Sequence, residues 1–227
     1  MLSIIKSIFY TFYINLKAFK FVEAIKLPII CGPYVCFGDI EKGKIHFIGG
    51  VSFNKISIGR TLGSFRGGAR QRTFIHIGKN ADLNIKSKFD IPCGSTININ
   101  GRLDISENFM PNFSLLISCE NKITIGKNCN IGWNVTIIDG DGHPLCKIDE
   151  PLLPINLSKP VFIGDNCWIA ANASILKGVY LSDNTIIPYG SIITKSCNKP
   201  NVIFGGLPNA IIKANVARMD FIKKNEN

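Results

Sequence analysis

The sequence predicts an all-β solenoid, a parallel β-helix of triangular section, and three observations carry the prediction. Ile163, Ile169, Ile175, Leu181, Ile187 and Ile193 recur every six residues without a break. Four places after each of the first five stand Cys167, Ala173, Val179, Thr185 and Ser191, all small or β-branched. The positions between them are rich in Asn, Asp and Gly. An α-helical stripe repeats near every 3.6 residues and a simple strand every 2, so neither produces this period; a solenoid does.

Each six-residue unit supplies one short strand and one tight turn, and three units close a coil of about eighteen residues. The large aliphatic fills the interior, the smaller residue sits where the chain bends, and Asn, Asp and Gly tolerate the bend. Neighbouring coils satisfy each other's backbone hydrogen bonds. Weaker copies run upstream through Ile123-Thr-Ile125-Gly126, Ile75-His-Ile77-Gly78 and Ile56-Ser-Ile58-Gly59, which sets the solenoid at residues 45–199. Between Leu103 and Leu116, Ile105 and Phe109 keep register but Met110, Pro111 and Phe113 break it, predicting a distorted coil. Phase also fails between Ile137 and Ile163, which locates a loop insertion around 139–160.

The ends read differently. Residues 1–44 form an N-terminal helix and capping segment: the first twenty mix Ile, Phe, Tyr and Leu with Lys6, Lys17 and Lys20, too interrupted to span a membrane. Such an amphipathic helix either covers the open end of the prism, the favoured reading, or rests on anionic lipid. Residues 200–227 form a C-terminal segment, in which Ile211, Ile212, Val216, Met219 and Phe221 predict a second short helix over 210–224.

With 227 residues, 46% hydrophobic and 19% charged, the chain suits one globular domain and neither a disordered polymer nor a solvated coiled coil. The net charge of +10 fits nucleic acid, an anionic membrane or an anionic substrate alike. No aromatic and basic interleaving points to nucleic acid, and no nucleic-acid partner is expected. The eight cysteines form no Cys-x-x-Cys pair and read as free thiols, with Cys129 and Cys167 as small core residues. Asn-x-Ser/Thr sequons at Asn112, Asn134, Asn156 and Asn172 arise readily in Asn-rich turns.

Of three histidines, His46 and His76 alternate with apolar neighbours as strand residues do. His143 lies instead in Ile138-Asp-Gly-Asp-Gly-His-Pro-Leu145, a Gly-rich turn entering the off-phase insertion. Such a loop can project a side chain into a cleft, although the residues alone read equally as a turn histidine beside Pro144. Three histidines so placed give no metal set, and no metal is expected.

Here the sequence resembles the hexapeptide-repeat acyltransferases, and among them the sugar O-acetyltransferases of maltose and galactoside type and those modifying bacterial surface polysaccharides. The resemblance rests on His143-Pro-Leu145, Lys159 to Ile169, the run to Ile193-Thr-Lys195, and Pro200 to Pro208. Handedness does not follow from the repeat, because parallel crossovers are otherwise right-handed; the resemblance implies a left-handed helix, a homotrimer, and active sites in the grooves between subunits. It implies acetyl-CoA as cosubstrate and a sugar or glycan as acceptor. His143 becomes the general base, with Asp139 or Asp141 to hold its second ring nitrogen and backbone N–H groups of Ala170 or Ala171 to stabilise the oxyanion. Trp168 lines the acceptor or pantetheine channel, and Ala171, Pro188, Thr194 and Lys195 border the CoA arm. Pro188 departs from the family's Ala, and the terminal Pro-Ala-Arg/Lys is here Pro208-Asn-Ala210, leaving Lys213 or Arg218 to meet the nucleotide phosphates. Asn112 matches an acceptor-facing asparagine and reads also as a turn residue.

The expected activity is acetyl transfer to a sugar hydroxyl in the making of capsule or O-antigen, in the cytoplasm, with peripheral contact at the inner membrane face. A small acceptor such as a nucleotide sugar, serine or a xenobiotic, or a binding module without catalysis, are the alternatives.

Overall fold

The computed structural model describes residues 2–68 and 71–219. Helix α1 (Leu2–Ala18) and the single turn α2 (Phe21–Ala24) precede a stack of parallel coils. Each coil passes in turn through three faces. Face one carries seven strands, from Val35–Ile40 to Ile192–Ile193, and face two six, from Ile45–Phe47 to Tyr180–Leu181. Face three is split. Its first part joins Ile29–Cys31, Ile56–Ile58 and Phe89–Ile91, and its second runs from Asn130–Ile131 to Val202–Gly205, with the isolated bridge Met110 to Asn130 between them. That break falls where Met110, Pro111 and Phe113 interrupt the phase.

The predicted interior is the observed core. Ile163, Ile169, Ile175, Leu181, Ile187 and Ile193 are 0% exposed, and Cys129 and Cys167 are likewise sealed in among them. All eight cysteines are free thiols. At the corners, Asn128, Asn134, Asn166, Asn172, Asn184 and Asn201 hold φ between 55° and 59°. Asn reaches this left-handed region more readily than other non-Gly residues, which is why the repeat selects it. Their amides also ladder between coils, Asn134 Nδ2 donating to Asn172 Oδ1 at 2.7 Å and Asn128 Nδ2 to Asn166 Oδ1 at 2.9 Å.

Four features depart from the sequence reading. The β-helix begins at Ile29 rather than 45, because Ile29–Cys31 and Val35–Ile40 already pair in parallel with Ile56–Ile58 and Thr73–Ile77. Coils advance by 18 residues where Trp168 pairs with Ile186 but by 20 where Leu116 pairs with Thr96, so the upstream repeat is diluted by extra corner residues. A second long corner follows Ile56–Ile58 and holds a short 3-10 turn, Ser64–Arg66, for which the six-residue phase offers no counterpart. Ala210–Ala214 is not helical: it forms a strand antiparallel to Val202–Gly205. The rest of that expected helix, from 220 on, lies outside the described residues.

Candidate active site

The insertion leaves face one after Thr136–Ile138 and returns to face two at Val161–Ile163. Asp139 anchors its entry. The carboxylate is wholly buried and accepts from the backbone N–H of Glu120 at 2.7 Å and of Asn121 at 2.8 Å, while its own carbonyl accepts from Lys159 N at 2.8 Å. Asp139 therefore holds the corner of the preceding coil, not His143, which corrects one of the two expected orienting carboxylates. Asp141 is engaged elsewhere too. Its Oδ2 accepts from Lys177 Nζ and, at 2.8 Å, from Asn156 Nδ2. Those two hydrogen bonds, Lys177's first, hold its carboxyl below the usual carboxylate range. Asn156 closes the loop by donating to the His143 carbonyl at 2.9 Å and accepting from Leu145 N at 2.6 Å.

These contacts fix the backbone on both sides of His143 and leave its imidazole exposed. It borders a cavity of about 260 Å³ with Glu120, Asp141, Pro144, Asn156 and Leu157. Glu120 is a site residue that the sequence reading missed. A Cβ at Gly140 would lie 2.3 Å from Glu120 Oε2, so Gly140 makes room for that carboxylate. One 20-residue coil separates the two positions, as it separates Leu116 from its partner Thr136, and counting back one coil from Gly140 would have found it. Lys177 was missed for the same reason, since its role is set between coils, whereas the Asn156 side chain acts within the insertion itself, 11 to 15 residues from its partners.

A second cavity, of about 620 Å³, opens at a different corner, between faces three and one. Trp168, Ala170, Ala171, Pro188 and Asn112 all line it, joined by Trp133 and Tyr189. Gly132 matters here: a Cβ would meet Ala171 N at 2.4 Å, so only glycine lets the two coil corners approach. Asn112 is a turn residue as well as a wall. Its Oδ1 accepts from Ser64 N and Phe113 N, both at 2.9 Å, and its Nδ2 donates to Ser64 Oγ at 2.8 Å, pinning the Ser64–Arg66 turn beside the cavity. The Phe113 and Trp133 rings stack at 6.2 Å beside it. Ala170 N donates to the Ile187 carbonyl at 2.9 Å, which removes it as an oxyanion donor and leaves Ala171.

Thr194 and Lys195 sit on the same corner as His143, two coils further on. Their backbone N–H groups donate to Asn209 Oδ1 at 2.8 and 3.2 Å, and Asn209 Nδ2 donates to the carbonyls of Ile192 and Gly206. Asn209 thus has a structural task in the position where the basic ending departs from pattern. Lys213 is exposed on the terminal strand, whereas Arg218 Nη1 donates to the Asn128 carbonyl at 3.2 Å, on another corner. His46 lies 3.4 Å from Asp82, and His76 accepts at Nδ1 from Asp39 N and meets Asn100 at Nε2, both on coil faces. Among the described residues no group of three His, Cys, Asp or Glu side chains is placed to hold a metal ion.

Residues 160–195 match the model for bacterial transferase hexapeptide (six repeats), and residues 122–146 that for the hexapeptide repeat of succinyl-transferase. Those two stretches carry the hexapeptide repeat of bacterial transferases, and the stacked parallel coils are consistent with a left-handed parallel β-helix. Over 144 residues it is 38% identical to galactoside O-acetyltransferase of Escherichia coli (strain K12), covering 62% of this chain and 64% of that one. It is 33% identical to polysialic acid O-acetyltransferase of Escherichia coli O1:K1 / APEC, over 65% of this chain and 46% of the relative. It is also 33% identical to galactoside O-acetyltransferase of Lactococcus lactis subsp. lactis (strain IL1403), over 48% and 51%. The chain thus spans between about half and two thirds of the length of these relatives.

Proposed function

We propose that this chain transfers an acetyl group from acetyl-CoA to a hydroxyl of a sugar in a surface glycan, with His143 as general base. The observation that carries the reading is His143 itself: an exposed imidazole beside an open cavity, on a loop whose backbone is tied down on both sides. The similarity to galactoside and polysialic acid O-acetyltransferases supports the acceptor class.

Imidazole ordinarily exchanges its proton near neutral pH. One ring nitrogen takes the proton of the sugar hydroxyl as that oxygen attacks the thioester carbonyl. The tetrahedral oxyanion then accepts a hydrogen bond from Ala171 N–H. Collapse breaks the carbon–sulfur bond, and the imidazolium returns the proton to the departing thiolate. No acyl-enzyme is formed. The 620 Å³ groove suits the pantetheine arm, because Gly132, Ala170 and Ala171 keep its wall low and Trp168 offers an apolar flank. Thr194, Lys195 and Pro188 border that arm, and Lys213 meets the nucleotide phosphates.

His143 and the groove occupy different corners of one prism, with face one between them. A homotrimer unites them by setting the His143 corner of one copy against the groove of the next. The hairpin of the insertion, Cys146–Lys147 against Glu150–Pro154, supports that assembly: Ile148 and Leu152 on it stand almost wholly exposed in a single copy. Residues this apolar belong in an interface.

The test is an acetyl-CoA assay against free sugars, sugar nucleotides and isolated glycans, with products weighed by mass spectrometry. An added acetyl mass on a glycan is the expected result. Acetylation restricted to nucleotide sugars, serine or a xenobiotic would move the acceptor to a small molecule, and absence of CoA binding in calorimetry would make the chain a binding module.

A further inference from the structure

Helix α1 packs inside out for a cap built on apolar burial. Its inward stripe is Thr11, Ile14, Asn15 and Ala18, at the i, i+3, i+4, i+7 spacing of one helix face. Two of the four are polar, and both bond the open edge of the first coil. Thr11 Oγ1 accepts from Cys31 N at 2.9 Å, Asn15 Nδ2 donates to the Ile29 carbonyl at 2.7 Å, and Asn15 Oδ1 accepts from Ile29 N at 3.1 Å. These side chains complete the ladder of a strand edge that would otherwise stay unpaired. Capping is thereby achieved by the helix's polar stripe.

Its opposite face is apolar and turned outward. Ile5, Phe9, Phe12 and Leu16 are 55%, 63%, 50% and 51% exposed, and α2 extends the surface with Phe21 and Val22 at 70% and 69%. Helical spacing sets Lys6 and Lys17 along one border of this face, and Lys20 and Lys26 follow. Glu23 is the single carboxylate in the first 26 residues. No helix among the described residues is long and apolar enough to cross a membrane.

We propose that this face seats the molecule on an anionic lipid bilayer, with α1 lying in the interfacial plane. An apolar face bordered by lysines and carrying aromatics is the arrangement that binds there, through acyl-chain contact together with attraction to anionic headgroups. Charge selects this occupant over a second copy of the chain, because two such faces meeting across a symmetry axis bring lysine against lysine, whereas phosphate headgroups complement them. The coil that bears His143 stands four coil spacings beyond the capped one, which lifts the site about 20 Å from the lipid plane. That height suits a glycan carried on a membrane lipid; this use rests on the function proposed above, while the docking itself does not.

The experiment is flotation of the full chain with vesicles of phosphatidylcholine alone and of phosphatidylcholine mixed with phosphatidylglycerol, which needs no acetyl transfer. Expected is co-flotation with the anionic vesicles that weakens as salt is raised. Phe9→Ser with Phe12→Ser should lower the partition at least about tenfold. Lys6→Gln with Lys17→Gln should lower it about tenfold and flatten the salt dependence. All four side chains are outward, so melting temperature and assembly size should stay as in wild type. Wild-type protein that remains in the soluble fraction with both vesicle types overturns the proposal. So does a Phe9→Ser, Phe12→Ser variant that floats like wild type, or one whose mass by light scattering falls, which would make the face a contact between copies.

Discussion

Asp139 and Asp141 stand two residues apart on the same loop and differ in what they hold. Asp139 is sealed in and accepts two backbone N–H groups, so Asp139→Ala leaves two amides without a partner. A loss of about 1–3 kcal/mol is expected from urea unfolding. Asp141 is an exposed anchor between Lys177 and Asn156. Its carboxyl is held below the ordinary value, so its contribution is fully present above about pH 4, the unfolded carboxylate range, and is lost as pH falls through the lower folded value. Limited proteolysis of the 139–160 loop should therefore show protection persisting to about pH 4 and failing below it. In Asp141→Asn that acid step should vanish, with the loop equally cut at all pH values. For the base itself, His143→Ala should cut turnover about 10²–10⁴-fold while CoA affinity by calorimetry stays near wild type. Wild-type turnover in that variant would remove His143 from the chemistry.

The coil is the element on which everything else depends, and its corners are as specified as its interior. Asn172 combines φ of 58° with an amide that accepts from Asn134 in the coil before. Asn172→Ala should cost about 1–2 kcal/mol in denaturant unfolding, since Ala is strained in the left-handed region, whereas Asn172→Gly should lose only part of that. The same residue type explains what was legible. Ile at every sixth position with Asn before the bend shows a coil directly from 163 to 193, where each coil has 18 residues and no slack. Upstream, extra corner residues such as Asn100-Gly101 and Glu120-Asn121 lengthen the coil to 20 and blur the phase. The strand Ile29–Cys31 lies between Pro28 and Gly32-Pro33, residues that punctuate a repeat, and so the first coil does not show in the six-residue phase. Ile211 and Ile212 suit a strand as well as a helix, and the antiparallel pairing with Val202–Gly205 decides for the strand. His143 was visible because it breaks phase inside the chain's own pattern. Glu120 and Lys177 were not, because each acts on a neighbour one or more coils away and no local pattern marks it.

At the scale of the whole molecule, the prism separates two half-sites by the width of face one. His143, Glu120, Thr194 and Lys195 belong to one corner, and Trp168, Ala170, Ala171 and Pro188 to another or its margin. A single copy so built holds His143 and the groove apart, and in the proposed homotrimer each interface is heterologous, His143 from one copy and groove from the next. Two inactive variants should then rescue each other. His143→Ala removes the base and keeps the groove; Ala170→Trp fills the groove from a half-buried wall position and keeps the base. Each is first checked alone for trimer mass by light scattering. Unfolded together, mixed in equal amounts and refolded, the two populations assemble at random. About a quarter of the interfaces then pair a wild-type His143 corner with a wild-type groove, and turnover should recover to about a quarter of the wild-type value. Mixing the folded trimers without exchange should restore none. Equal inactivity before and after co-refolding, with trimer mass intact, would mean that base and groove never serve one reaction across copies, and the site would have to lie within a single prism.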